Sequence, residues 1–314
     1  MKFAYEPRAS TILYNLLTSR PDRRPFLLPA NICTIVPLTF LKAGVPFEFV
    51  DISPVTLHMN LGAATELLAT RRFGGVLYVH TYGDLSTPND FYTEIKTNDP
   101  SLLVIDDRCL CIPNLEPFHQ VGADVQLNST GYAKIVDLGF GGYAILQEDV
   151  PYQRRTLVYC AEDLQAAERA CKQSVLVRSQ FVYHDSDWLQ TEADLPEWTA
   201  YCLQVQAGLE VTQVQRQALN AIYATRLPVE LQLPSAYQTW RFNIRLPHRE
   251  DVLQAIFADG LFASAHYASL AGIMASRSCP VAEELAGHVI NLFNDHHFSL
   301  AMAERVCGII LKNI

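Results

Sequence analysis

With 314 residues, 49% of them hydrophobic and 18% charged, the chain has enough apolar material for a sizeable buried core, and disorder or a fibrous repeat is excluded. The length suggests one large or two closely packed domains. A net charge of −9 argues against a general nucleic-acid binder, whose phosphate contacts need clustered cations, but leaves room for a small phosphorylated ligand held by local donors. The uncharged stretch of residues 25–41, which no other exceeds in length, contains three prolines and an asparagine and falls short of the ~20 apolar residues that span a bilayer. Glu6 and Arg8 stand where a signal peptide would need its apolar centre, so a cytoplasmic protein is expected. The eight cysteines are scattered and read as reduced thiols. Cys109, Cys111 and His119 could be imagined as a metal site, but no fourth ligand follows at a zinc spacing, and no metal is expected.

In chain order, residues 11–18 read as a helix and PFLLP as a buried strand. ICTIVPLTFLKAG is a helix stopped at Gly44, and VPFEFVDI is the next strand. AATELLATRR, GVLYVHT, NDFYTEIKT and SLLVIDD continue the alternation of helix and strand. These strands are apolar on both faces, as in a parallel sheet covered by helices on each side. ADVQLNS and GGYAIL supply two more strands. From Ala161 to about Thr225 the residues favour helix, with LEVTQVQRQALNAIYATRLP as one long helix ended by Pro228. A smaller α+β unit follows: strand TWRFNIRLP, helix EDVLQAIFADG, strands FASAHY and HVINLF, and a last helix LAMAERVCGIILKN. The expected division is a large domain over 1–235, including the helical segment 161–228, and a small one over 236–314.

Asp106 and Asp107 close the strand SLLVIDD, and the carboxyl ends of strands are where open α/β sheets bind ligands. An Asp there equally caps turns. Lys134 follows Asp107 by 27 residues, after Ser129, Thr130 and Gly131, between two strands whose ends point to the same crevice. The following GFGG (Gly139, Gly141, Gly142) permits tight turns, but no Gly-Lys-Ser/Thr is present and an ATPase is excluded. His266 and Tyr267 lie in the small unit; His296 and His297 read as a solvated turn, and Trp240 and Arg241 as a core residue and an edge cation opening a strand.

Six segments in order carry a resemblance to the DegT family of sugar aminotransferases, which have the fold-type I architecture and use pyridoxal phosphate (PLP). LLPANICTIVPLTFLKAGVPFEFVDISPVTLHMN resembles the family's opening with its D-x-x-P-x-T, VLYVHTYGD its strand and Tyr-Gly turn, and VIDDR its paired acids. STGYAKIVDLGFGGYAI resembles its lysine segment, with Ser129 five residues before Lys134. DGLFASAHY and CPVAEELAGHVINLF are similar to its His-Tyr and closing motifs. The resemblance implies a large domain with a mainly parallel sheet, helices on both faces, and a smaller C-terminal α+β domain.

It also implies PLP held covalently by Lys134. A free lysine is neutral in only ~0.04% of molecules at pH 7, and a Schiff base avoids that penalty. Asp107 would keep the ring nitrogen protonated, Ser129 and Ser10 or Thr11 would bind phosphate, and Cys33 stands where the family stacks an aromatic residue on the ring. His266 and Tyr267 would lie on the substrate side. The implied reaction moves an amino group from an amino acid, commonly glutamate, to a keto-sugar on a nucleotide carrier, in a homodimer. The departures are Leu110 for the residue touching the cofactor's 3′ oxygen, Cys33, Ala9 for the phosphate-loop glycine, Ala268 for a proline, and no clear N-x-R segment. They leave the alternative of a non-catalytic or altered-chemistry homologue that binds PLP or serves as an assembly subunit.

Overall fold

The computed structural model describes residues 1–116 and 122–314. It begins with β1 (Lys2–Glu6) and α1 (Ala9–Ser19). The first is a short strand with charged ends and no apolar run to mark it in sequence, which suits an edge. β2 (Phe26–Pro29), α2 (Ile35–Lys42), β3 (Phe47–Val50), α3 (Leu61–Ala69), β4 (Gly75–Val79), α4 (Asn89–Asn98) and β5 (Leu103–Asp107) alternate as expected. β6 (Val125–Ser129) and β7 (Gly142–Leu146) complete one seven-stranded sheet in the order β1-β7-β6-β5-β4-β2-β3. Pairs among β6, β5, β4, β2 and β3 are parallel, while β7 is antiparallel to both neighbours.

Every residue of β4, β5, β6 and β7 is buried, so apolar side chains are needed on both faces. One face packs with Ile12, Leu16 and Phe40, the other with Tyr92, Ile95 and Leu68. Gly44 closes α2 at φ +64°, as its position predicts.

The helical middle divides in two. α5 (Ala161–Val177) and α6 (Trp198–Arg226) are separated by irregular chain, and α6 starts well before the expected Leu209. Burial explains the break: Trp188 and Leu189 between the helices are each 1% exposed and sit in the main core. Trp198 starts α6 inside an aromatic cluster, 4.2 Å from the Phe3 ring and 5.3 Å from Tyr201.

The last elements are β8 (Phe242–Arg245), α7 (Arg249–Ala258), β9 (Ala263–Ser264), α8 (Pro280–His288), β10 (Val289–Leu292) and α9 (Leu300–Lys312). Their sheet runs β8-β10-β9. The expected FASAHY strand shrinks to two residues because the Asn291 side chain, not a strand carbonyl, accepts the His266 N–H at 2.6 Å. α8 was not anticipated; Asp51, just beyond β3, accepts the N–H groups of Val281 and Ala282 at 3.0 and 2.9 Å and caps it across the molecule. The core here includes Leu219 and Tyr223 of α6, whose earlier residues Tyr201 and Val205 pack with Tyr143 and Val136. One helix therefore serves two cores. Among the described residues no helix is long and apolar enough to cross a membrane.

Arg241 corrects the expectation of an edge cation. It is 2% exposed, ion-paired with Asp295, and lies 4.0 Å from the Phe293 ring centroid. His296 and His297 are exposed as expected, with ring centroids 3.9 Å apart. Burial alone would raise the Asp295 pKa; the Arg241 charge and the His297 N–H outweigh it and leave the carboxyl below its usual value. A carboxyl lowered on folding stabilises above its unfolded pKa, near 4, and loses that contribution as pH falls through the folded value. Asp295→Ala should therefore cost about 3–5 kcal/mol in urea unfolding at pH 7 by stranding Arg241, and the gap to the wild type should shrink below about pH 4.

Candidate active site

Successive residues of a strand point to opposite faces, so the two acids closing β5 part company. Asp106 is fully buried in a polar cluster: it accepts from the Tyr92 hydroxyl at 2.7 Å, and lies 2.8 Å from His80 Nε2 and 3.5 Å from Arg108 Nη1. Asp107 turns to the crevice at the strand ends. One of its oxygens accepts the Cys109 N–H at 2.9 Å, and among the described residues it has no ion pair. Burial raises its pKa, against the pull of the Cys109 hydrogen bonds and of the Lys134 charge.

Lys134 is half-buried in the loop between β6 and β7; burial raises the pKa of Asp107, Cys33 and Cys109, and the Lys134 charge opposes that rise at each, which places the four in one electrostatic neighbourhood. The loop is held from several sides. Asp137 accepts the N–H of Ala133 at 2.8 Å and of Gly139 at 3.0 Å. The Trp240 indole donates to the Ala133 carbonyl at 2.7 Å, and Arg216 of α6 donates to the Lys134 carbonyl at 3.3 Å and to Trp240 O at 2.6 Å. A buried guanidinium thus ties the lysine's backbone to the small unit.

At the other end of the crevice, Ser129 closes β6 and its hydroxyl oxygen accepts the Gly131 N–H at 3.2 Å. The start of α1 approaches closely, and Gly142 is why it can: a Cβ there would lie 2.2 Å from Ala9 N. Gly141, at φ +92°, would place a Cβ 2.6 Å from Thr130 Oγ1. Of the two candidate hydroxyls on α1, Thr11 is committed elsewhere: it is fully buried and donates to Gln190 O at 2.6 Å. Ser10 is half-buried and makes no side-chain hydrogen bond among the described residues.

Cys33 precedes α2 within reach of Lys134, and burial pushes its thiol pKa up while Lys134 opposes. Tyr267 is near Cys33, Asp107 and Tyr82, and its pKa is driven well above the ordinary tyrosine value by burial first and those neighbours second. Trp240 lies in a stack between Tyr82 and Tyr267, at 6.4 and 6.1 Å, and the Tyr82 hydroxyl donates to His266 O at 2.8 Å. His266 keeps exposed surface; close packing and the cations Arg241, Lys134 and Lys172 hold its pKa below the usual value. The structure thus gathers Lys134, Asp107, Cys33 and Tyr267, with His266 at the rim. It brings Ser129 to the α1 start and leaves Thr11 out. Cys109 and Cys111 point their thiols at different carbonyls, Leu127 and Asp84, while His119 lies outside the described residues. Trp240, Tyr82 and Arg216 were not foreseen as site residues; their link to Lys134 is long-range hydrogen bonding and stacking, which leaves no local pattern.

Comparison with known proteins accords with this geometry. Over its full length the chain superimposes on a DegT/DnrJ/EryC1/StrS aminotransferase from Brucella abortus, covering 86% of that chain at 18% identity with a TM-score of 0.67. It is similar over 99% of its length to the sugar aminotransferase CalS13 from Micromonospora echinospora, covering 87% of that chain at 15% identity (TM-score 0.64). Helicobacter pylori PseC, an aminotransferase of pseudoaminic acid biosynthesis, matches 99% of this chain over 86% of its own at 13% identity (TM-score 0.69). These likenesses establish the fold-type I architecture. Curated protein sequences yield no match. Residues 39–311 match a family as a sequence, and on that match the chain belongs to the DegT/DnrJ/EryC1/StrS aminotransferase family.

Proposed function

We propose that the protein is a PLP-dependent aminotransferase that passes an amino group from an amino acid, commonly glutamate in this family, to a keto group on a nucleotide-linked sugar. The observation that carries this reading is the half-buried amine of Lys134 within electrostatic reach of Asp107, a buried carboxylate without an ion-pair partner among the described residues. A buried carboxylate calls for a cation, and a protonated pyridine nitrogen is one. The crevice also offers the Ser129 and Ser10 hydroxyls to a phosphate. The residues therefore fit the cofactor. When bound, PLP supplies an electron sink for the pair left at the donor Cα.

The protein's part is holding and proton transfer. Lys134 Nζ would hold the cofactor and would carry the proton of the donor's Cα. Asp107 would keep the ring nitrogen charged. Cys33 would border the ring with a small side chain where relatives stack an aromatic one. His266 and Tyr267 form the substrate side, backed by Trp240. We read 1–235 and 236–314 as the two working units, a cytoplasmic setting, and a homodimer; exposed Leu176 and Val177 of α5 and Leu203, Val211 and Val214 of α6 supply apolar surface for a second copy. One observation favours the second reading, a homologue with lost or altered chemistry: buried, apolar Leu110 gives the 3′ oxygen no donor.

Borohydride reduction in the presence of PLP should fix a pyridoxyl group on the peptide containing Lys134. Lys134→Ala should melt like the wild type and trap none; a wild type that traps none ends the proposal. Asp107→Ala should still trap the cofactor at Lys134, but stopped-flow bleaching by an amino donor should slow by about 100-fold or more, as the ring charge is no longer stabilised. Trapping at Lys134 with no bleaching by any amino donor in the wild type would instead select the altered-chemistry reading.

A further inference from the structure

We infer that Arg8, the residue preceding α1, supplies the cation that binds the cofactor's phosphate, an assignment that rests on the PLP reading of Lys134 and Asp107. Arg8 has extended backbone (φ −144°, ψ 151°), and its side chain makes no cap bond to its own helix. It reaches instead toward the ends of β6 and β7, where Nη1 donates to Gly139 O at 2.7 Å and Nε contacts Gln190 Oε1 at 3.4 Å. Two of five guanidinium donors are thereby used.

Among the described residues no carboxylate pairs with its charge. The first turn of α1 has no acid, and the nearby Glu6 is taken by Arg154 at 2.8 Å and by the Tyr152 hydroxyl at 2.7 Å. Asp137 is spent on the N–H groups of Ala133 and Gly139. A half-buried guanidinium without a counter-ion, beside the positive end of a helix dipole, is stabilised by an anion arriving from outside.

The neighbouring groups say where that anion sits. Ser129 is 8% exposed; its oxygen accepts the Gly131 N–H, and its hydroxyl hydrogen has no acceptor among the described residues. A Cβ on Gly131 would lie 3.4 Å from Ser129 Oγ and 3.5 Å from Arg8 Nη1, ordinary contact distances, so a buried hydroxyl and the Arg8 guanidinium border the same spot. Ser10 stands two residues from Arg8 on the same helix start. A planar guanidinium holds phosphate in two parallel hydrogen bonds.

The test compares PLP with pyridoxal, which has the same ring and aldehyde without phosphate, on wild type, Arg8→Gln and Arg8→Lys prepared without cofactor, with affinities read from absorbance titration and folding from thermal melts. Arg8→Gln should weaken PLP by about tenfold or more, the scale of one charge-assisted hydrogen bond, leave pyridoxal within about twofold, and Arg8→Lys should fall between. Equal losses for both ligands, or PLP affinity unchanged in Arg8→Gln, would overturn the Arg8 assignment alone. Failure of the wild type to take up PLP would overturn it together with the cofactor reading. Should Arg8→Gln not fold, the same ratio in Arg8→Lys decides: a loss confined to PLP supports the assignment, and an equal loss removes it.

Discussion

The site depends on a backbone approach with no room for a methyl group. At Gly142 the first residue of β7 runs against the entry to α1, where a Cβ would sit 2.2 Å from Ala9 N. With Gly142 in place, β1 pairs antiparallel with β7 from Lys2↔Leu146 to Glu6↔Gly142, and the chain then turns directly into α1. That turn sets Arg8 and Ser10 beside the end of β6. Gly141 acts from the same place in the opposite direction, letting Thr130 and Tyr201 close in; their hydroxyls are 2.7 Å apart. Two adjacent glycines thus decide both where the helix starts and how the lysine loop leaves the sheet.

The position of Lys134 itself is set from farther away. α6 contributes to the aromatic cluster under β7 through Tyr201 and to the small-unit core through Leu219 and Tyr223. Arg216 lies between those two packed stretches and bonds the carbonyls of Lys134, Ile135 and Trp240. Burial lowers its pKa to about 10, so it remains charged at neutral pH and the links stay charge-assisted. The same guanidinium thus joins the backbone at Trp240 to the backbone at Lys134.

Much of the large sheet was legible because its strands are apolar on both faces, and a run such as SLLVIDD has few other ways to be buried. The order of Asp107, Ser129 and Lys134 was legible as a motif, and strand ends then put them at one crevice. What was not legible has a common cause. β1 is too short and too charged at its ends to stand out, and β9 is cut short by a side chain, Asn291, from a different strand. The break between α5 and α6 follows from burying Trp188 and Leu189. Arg241 looks like an edge cation until Asp295 is brought to it. Likewise Ser10 and Thr11 are equivalent in sequence, and only Gln190, 179 residues from Thr11, distinguishes them. Propensity and motif locate elements, whereas the partner of a polar group comes from the fold.

The charge pattern of the crevice goes further than any single residue. The chain as a whole is acidic, yet its described crevice residues place an unpaired carboxylate, Asp107, at one side and an unpaired guanidinium, Arg8, at the other. Each is costly when desolvated alone, and each would be neutralised by a partner of opposite sign. A ligand cationic at one end and anionic at the other satisfies both at once, and a protonated pyridine bearing a phosphate has that polarity. The reverse orientation would set phosphate against Asp107 and the ring cation against Arg8, so the same two charges that stabilise the ligand also fix which way round it binds. Lys134 is the lysine whose charge acts on Asp107, Cys33 and Cys109 alike.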